Sequence, residues 1–307
     1  MKKIVQTLGR TTLVASSSIP LDLQNLPEGN WYVTDLVLRF TATAGNDDVT
    51  AAALKGAIGS IYLRTGEHTW VNGLNVNDLA HFAISSGNFY DKFTAVTAGT
   101  TAVRYLDLGF RLAQLKDPLD LCPNVAQFKP NSTIVFNTGI FDENLTSLSV
   151  EVIAFCIDRK NVYVAPQLKL DKQVITTEGS GYVKVSETSV GAWFEFNSSA
   201  VLDTTGTVYI NGESVIVNQP LKFLDNYDQL PFAMYGDDPY ADSAVNLFRQ
   251  IGSVSLESPV LPANSSIAYK DFADAAVPFR FVSIGVVPVR TQGGAPVVAS
   301  TVSPLKI

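Results

Sequence analysis

The chain carries few residues of the kinds that catalyse reactions. Its two histidines are His68 and His81, so a metal site with three histidine ligands is excluded and any Ser-His-Asp triad must use one of them. His81 follows Asp78 by three residues, and Ser85 and Ser86 lie just beyond. A nucleophilic serine normally occupies a strained turn such as Gly-x-Ser-x-Gly, and the sequence has no such motif. We therefore expect no catalytic residues and no enzyme activity.

Motifs for cofactors and metals are equally sparse. Residues 179–181 (Gly-Ser-Gly) lack the third glycine of a phosphate-binding loop, and no Gly-Lys-Ser or Gly-Lys-Thr occurs. Asp237, Asp238 and Asp242 form an acidic stretch whose oxygen ligands would suit Ca²⁺. The EF-hand pattern is missing, and a solvated acidic turn is the commoner case. The sequence predicts no cofactor and no metal ion, and it leaves Ca²⁺ binding open.

The tryptophans and cysteines are predicted to pack rather than to react. Trp31, Trp70 and Trp193 could form a platform for stacking sugars, but their strand-like contexts favour burial in a core or an interface. Cys122 and Cys156 allow at most one disulfide bond, far fewer than small secreted scaffolds use. Both lie in apolar contexts, so we expect reduced thiols that behave as small hydrophobic groups.

The composition is that of a compact globular protein. With 307 residues, 46% of them hydrophobic and 17% charged, the chain can bury two cores of about 150 residues each. Its net charge of −7 disfavours general attraction to nucleic-acid phosphates, which requires clustered cations. No window approaches the roughly 20 apolar residues of a membrane span. We expect a soluble protein that does not bind nucleic acid directly in a sequence-specific way.

Alternation of apolar and polar residues predicts an all-β fold. Leu36, Leu38 and Phe40 share one face of a period-two pattern, as in a strand with one buried side. Similar runs rich in β-branched and aromatic residues recur along the chain, at 60–63, 103–112, 133–136, 148–157, 182–185, 193–196, 207–210, 266–269 and 279–289. Helical spacing appears only in short stretches, which are predicted to be connectors.

The two halves of the sequence correspond to one another. Residues 61–67 resemble 208–213, and residues 130–136 resemble 262–269; each member of the second pair precedes a long apolar strand. Matched elements in the same order favour two copies of one β module. The alternative is that Gly, Asn and Ser turns look alike in any β protein.

We place the boundary between the modules at a short polar run, residues 158–161. The first module spans residues 1–158 and the second 159–307, and Gly66 and Gly212 should occupy equivalent turns. About eight short strands in each module fit a jelly roll or a sandwich. The predicted fold is all-β, with two tandem eight-stranded antiparallel jelly-roll barrels and short connecting helices.

This plan resembles a family of viral proteins. The residues that carry the resemblance are 18–23 as an opening strand, 31–40 as a long strand, and 61–63 followed by a turn and the helical 77–79. In this order they are similar to double jelly-roll major capsid proteins of small icosahedral, membrane-containing bacteriophages, of the corticovirus type or the lipid-containing Flavobacterium phage. The resemblance covers most of the chain through its doubled plan.

The resemblance implies a structural role. It predicts a homotrimer that forms a pseudo-hexagonal tile of the virion capsid shell, is assembled in the host cytoplasm, and contacts minor capsid and vertex proteins. It also implies an amino terminus that points towards an internal lipid membrane. Lys2, Lys3 and Arg10 are the charged residues before Asp22, so we expect a basic arm facing that membrane. A solvated terminus, or an arm lying against its own barrel, is the alternative.

Two other functions stay open. A carbohydrate-binding or hydrolytic β-sandwich protein would use the tryptophans and the acidic stretch as its site. A phage tail or spike protein would also form trimers. Size-exclusion behaviour and electron microscopy of particles would separate these functions from a capsid role.

Overall fold

A computed structural model describes the chain over residues 2–65, 68–86, 91, 93–111, 119, 121–128, 132–158, 167–175, 180–196, 205–220, 244–246, 261–270 and 279–287. The chain divides into two compact units, whose main segments meet between Gln167 and Leu168. The predicted boundary after residue 158 adjoins residues 159–166, which lie outside these ranges, and it stays a prediction.

Unit 1 contains eight described strands and three short helices. In chain order these are β1 (Lys3–Thr12), β2 (Ser18–Asp22), β3 (Trp31–Ala44), α1 (Ala51–Ile58), β4 (Ser60–Thr65), β5 (His68–Asn75), α2 (Val76–Ser86), β6 (Thr101–Asp107), α3 (Val125–Phe128), β7 (Ser132–Asn137) and β8 (Leu145–Asp158). One sheet has the strand order β1-β8-β3-β6, and the other strands follow the order β2-β7-β4-β5. All these neighbours pair antiparallel.

Unit 2 contains eight more described strands. They are β9 (Gln167–Ile175), β10 (Gly181–Lys184), β11 (Thr188–Phe196), β12 (Thr205–Ile210), β13 (Glu213–Pro220), β14 (Ala244–Asn246), β15 (Ser266–Lys270) and β16 (Phe279–Val287). The strand orders are β9-β16-β11-β14 and β10-β15-β12-β13.

The two units share one topology. In each, one sheet runs first, eighth, third and sixth strand, and the other runs second, seventh, fourth and fifth. This is the two-sheet, Greek-key arrangement of a jelly roll. The predicted duplication is confirmed, because the two pairs of similar segments fall on the fourth-to-fifth strand turn and on the seventh strand. Gly212 lies in that turn in unit 2 with φ +88; Gly66 lies outside the described residues.

The core of unit 1 follows the predicted alternation. Leu36, Leu38 and Phe40 of β3 are fully buried, and they lie opposite Ala154, Val152 and Val150 of β8, which are buried as well. Fully burying a side chain of the Val or Leu type contributes about 1.5–3 kcal/mol. The neighbouring inward side chains of β3 and β8 are therefore a main source of the stability of unit 1.

The last strand of unit 2 is buried on both faces, as its near-continuous apolar sequence predicts. From Phe281 to Val286 every residue is buried, whichever face its side chain is on. This matches the rule that strands covered on both sides lose the alternating pattern.

The amino-terminal segment carries a strand that the sequence pattern did not predict. Lys3–Thr12 form strand β1, which pairs with β8 from Lys3 opposite Ile157 to Thr12 opposite Ser149. A register shift between Thr7 and Gly9 marks a bulge. The terminus is therefore part of the sheet and not a free arm.

Two glycines let helix α1 pack closely against the end of β7. Gly59, which follows α1, has φ +71, and a Cβ there would overlap the carbonyl oxygen of Asn137. The Gly139 N–H donates to the carbonyl oxygen of Ala57 at 3.1 Å. A side chain at Gly59 would have to displace the backbone on either side of this contact.

Candidate functional site

The Asp78 and His81 region, considered above as a possible catalytic cluster, contains a helix cap. The Asn75 N–H donates to Asp78 Oδ2 at 2.8 Å, and the Asp78 N–H donates to Asn75 Oδ1 at 2.8 Å. This reciprocal pair is a capping box at the start of α2, and Asp78 is fully buried. The side chains of His81, Ser85 and Ser86 lie outside the described residues. Asp78 therefore has a structural role.

Trp70 lies in the core, as predicted. It is 1% exposed, its ring stacks on Phe128 with centroids 5.2 Å apart, and its Nε1 donates to Thr65 Oγ1 at 2.7 Å. A ring held on its face and at its polar atom cannot stack on a sugar. Trp31 is half-buried at the start of β3, and the side chain of Trp193 is not among those described.

Both cysteines are free and buried, which confirms the expectation of reduced thiols. Burial, followed by the negative charge of Asp35, raises the pKa of Cys156 to about 11. The thiolate is the nucleophile in cysteine chemistry, so a thiol with this pKa is unreactive near neutral pH.

No group of three metal-ligating side chains occurs within the described ranges. The acidic stretch of Asp237, Asp238 and Asp242 lies outside them, so its Ca²⁺ question is untouched. Among the described helices, none is long and apolar enough to cross a bilayer.

One face of a sheet in unit 1 carries an ordered array of polar and apolar side chains. The sheet β1-β8-β3-β6 buries one face in the core, and we call its opposite side the outer face of unit 1. The register places four rows of side chains there by direct pairing: Val5 and Thr7 on β1, Glu151, Ile153 and Phe155 on β8, Asp35, Val37 and Arg39 on β3, and Tyr105 and Asp107 on β6. Of these, Val5 is 57% exposed and Phe155 39% exposed.

Glu151 is the centre of a polar network at one end of this face. Its carboxylate accepts from Arg39 Nη1 at 3.0 Å and from Thr7 Oγ1 at 3.0 Å, and Arg10 Nη2 lies 3.4 Å away. Burial alone would raise the pKa of Glu151, but the Thr7 hydrogen bond and the two arginines outweigh it and lower the pKa. Two arginines and one glutamate give the network one net positive charge, and its contacts link strands β1, β3 and β8.

The other end of the outer face holds a shallow cavity of about 320 Å³. It is lined by Asp35, Val37, Tyr105, Asp107, Arg111, Ile153 and Phe155. Arg111 Nε donates to Asp35 Oδ1 at 3.0 Å, and its Nη2 lies 2.5 Å from the same oxygen. The cavity thus places the ion pair beside the apolar side chains of Val37, Ile153 and Phe155, a combination that can bind a side chain or an apolar surface.

The outer face was only partly foreseen from sequence. Alternation along 148–157 predicts that the residues between Leu148, Val150, Val152 and Ala154 lie on the other face of the strand, and these residues are partly exposed on β8. Their partners on β1 and β3 come from positions more than 100 residues away, so only the strand register reveals the network.

Comparison with known proteins supports the fold. No known protein-family profile matches the chain, and no curated protein matches it in sequence. Solved structures do match over nearly the whole length. The major capsid protein of Sulfolobus turreted icosahedral virus is 14% identical with a TM-score of 0.63, covering 94% of this chain and 97% of that one.

Two further structures have the same arrangement. The major capsid protein of bacteriophage PM2 is 14% identical with a TM-score of 0.57, covering 96% of this chain and 100% of its own. The capsid protein of the virus PBCV-1 is 10% identical with a TM-score of 0.54, covering 93% and 94%. At this level of identity the likeness establishes the fold. By topology and by structural similarity, the chain has the double jelly-roll fold of viral major capsid proteins.

Proposed function

We propose that this chain is the major structural protein of an icosahedral virion, and that its homotrimers are the pseudo-hexagonal capsomers of the shell. The observation that carries the proposal is the repetition of one eight-strand topology in two units of a single chain. Three copies around an axis then present six similar barrels, so one protein can tile a hexagonal lattice with simple cyclic symmetry.

The chemistry of the described residues supports a structural role over an enzymatic one. The one residue of the candidate triad whose side chain is described, Asp78, caps a helix. Trp70 is committed to the core, which weighs against a sugar platform at that position. The partly apolar outer face of unit 1, by contrast, suits a protein whose function lies in its contacts.

The proposal includes a place and a set of partners. The protein would lie in the virion shell after assembly in the host cytoplasm, with minor capsid and vertex proteins as neighbours. It would bind no nucleic acid sequence-specifically. We also propose domain bounds of 1–158 and 159–307, so limited proteolysis that cuts the native chain should cut it first near residues 158–161.

We further propose that the cations of the first ten residues face a lipid membrane inside the shell. Lys2 and Lys3 are exposed and Arg10 keeps 68% of its side chain exposed, so all three can reach an anionic surface. Each is worth about 1 kcal/mol near such a surface. The Lys2→Ala/Lys3→Ala double variant should bind anionic liposomes more weakly than the unaltered trimer. Equal binding would remove the membrane from the proposal.

Mass measurement tests the capsomer directly. Light scattering coupled to size exclusion should give three times the chain mass of 33.1 kDa. A stable monomer, especially one with affinity for glycans, would favour a carbohydrate-binding or hydrolytic protein. A trimer that never assembles into shells would favour a tail or spike protein.

A further inference from the structure

Strand β1 lies at one edge of its sheet. It runs for ten residues, and among the described strands β8 alone pairs with it. Its Leu8 carbonyl oxygen accepts from the Gln24 N–H at 3.0 Å, so residues 3–7 are the part of the edge that can take a further strand. The carbonyl oxygen of Lys2 accepts from the Asp158 N–H at 3.1 Å, so the backbone groups of Lys2, and by alternation Ile4 and Gln6, point towards β8. The same alternation leaves other backbone groups pointing away from the sheet, those of Lys3, Val5 and Thr7.

This edge also has an apolar flank. Val5, 57% exposed, lies directly opposite Phe155, 39% exposed, on the outer face. An open edge beside exposed apolar side chains is a template for pairing with another strand. A different edge strand of unit 1, β2, contains Pro20. Proline has no backbone N–H to donate, so it disfavours pairing of that edge with another strand. No proline interrupts β1.

Among the described strands of unit 2, β13 occupies the outermost position of its sheet. It runs for eight residues, a length close to that of β1, and its Val217 side chain is 56% exposed. We propose that β13 of one copy pairs with β1 of the next copy, so that the two sheets join across the subunit contact. This inference rests on the proposed function, because it specifies the contact that closes the trimer.

Charge favours β13 as the occupant over a second β1. The cations Lys3 and Arg10 lie on β1, which has no acidic residue, whereas β13 has Glu213 and no basic residue. Antiparallel pairing brings the Arg10 end of β1 to the Glu213 end of β13. Antiparallel pairing of β1 with another β1 would instead set cations against cations.

The symmetry of such a contact agrees with a trimer. Pairing of β13 with β1 uses two different surfaces, so it is heterologous, and repeating it closes a three-membered ring when each copy is rotated by one third of a turn from the last. Backbone hydrogen bonds between added strands supply affinity, while side-chain rows on either face fix the register.

Hydrogen exchange resolved to single amides tests the pairing with an internal reference. In the trimer, the amides of Val5 and Thr7 should exchange at least about tenfold more slowly than in dissociated chains, because the neighbouring strand covers them. The amides of Ile4 and Gln6 bond β8 within the chain and should be protected in both states. Fast exchange of Val5 and Thr7 in an intact trimer would overturn the inference.

Matched lysine substitutions test both sides of the contact. Val5→Lys and Val217→Lys each place a charge beside the joined edge, and each should raise the trimer's half-dissociation concentration by about tenfold or more. Val14, 57% exposed, and Val174, 62% exposed, are matched valines that lie outside both strands. Val14→Lys and Val174→Lys should leave the trimer unchanged.

The outcomes separate this inference from the proposed function. If the wild-type chain is a trimer and Val5→Lys and Val217→Lys do not weaken it, the β13–β1 contact is wrong. The same holds if the control variants weaken the trimer equally. Neither result contradicts the proposed capsomer. A wild-type chain that stays monomeric overturns both the contact and the capsomer. Circular dichroism of each variant establishes that its chain is folded before the trimer is measured.

Discussion

A charge placed at Val152 should destabilise unit 1 more than the same charge one residue further on. Val152 is fully buried in β8, between Leu38 on β3 and Gly9 on β1. Val152→Asp removes about 1.5–3 kcal/mol of apolar burial and adds about 1–3 kcal/mol for a buried polar group without a partner. The sum of about 2.5–6 kcal/mol is a large part of the whole stability of a typical domain, about 5–15 kcal/mol.

The same substitution should show a defined pH dependence. Burial raises the pKa of the introduced carboxyl in the folded state above its unfolded value of about 3.9. The folded chain then binds more protons than the unfolded chain, so the stability of the variant falls as pH rises through the interval between the two values. Its deficit relative to wild type should therefore be smaller at pH 4 than at pH 7.

Urea unfolding followed by circular dichroism measures both effects. Ile153→Asp is the control, because Ile153 lies on the partly exposed outer face, where a carboxylate stays hydrated. We expect a large loss for Val152→Asp and a loss of about 1 kcal/mol or less for Ile153→Asp. Equal losses, or an unchanged midpoint for Val152→Asp, would show that the assigned inward face of β8 is wrong.

Three further predictions follow from local contacts. Glu151→Gln should lower thermal stability at pH 7 and should lower it less as pH falls below 4.5, because the lowered pKa of Glu151 makes its contribution present above the unfolded pKa and lost as pH falls through the folded pKa; an effect independent of pH would contradict this. Gly59→Ala should cost more than 1 kcal/mol in chemical unfolding, whereas Gly56→Ala, with open space around its Cβ, should be neutral or stabilising, and the reverse order would refute the assigned packing. Deleting residues 2–10 should lower the melting temperature measured by calorimetry, since it removes most of β1, and an unchanged value would mean that β1 adds nothing to the sheet.

The long strands could be predicted from the sequence because their burial is one-sided. On β3, Leu36, Leu38 and Phe40 alternate with more polar residues, and a period of two is visible in such a stretch without any structure. The doubled plan was also visible, since equivalent strands and turns recur in the same order.

Strand β1 escaped prediction for a physical reason. Its inward positions include Gln6, and a bulge at Gly9 shifts the pattern by one residue, so no continuous period of two remains. Its three nearby cations favoured the prediction of a basic arm that faces a membrane. Pairing with β8 decides the structure of this segment, and that pairing spans almost the whole of unit 1.

The outer-face network could not be derived from sequence at all. Thr7, Arg10 and Arg39 reach Glu151 from strands that are far apart in the chain and adjacent in the sheet. The cap at α2 is a different case. The Asn75-x-x-Asp78 spacing resembles a known helix-start signal, and recognising it would have assigned Asp78 a structural role from the start.

Electron microscopy of the purified, assembled protein is the most direct test of the central claim. We predict closed icosahedral shells whose capsomers are trimers, each with six upright β-barrels arranged pseudo-hexagonally around a three-fold axis. Particles built from monomers or dimers, or capsomers without two jelly-roll barrels per chain, would contradict the account.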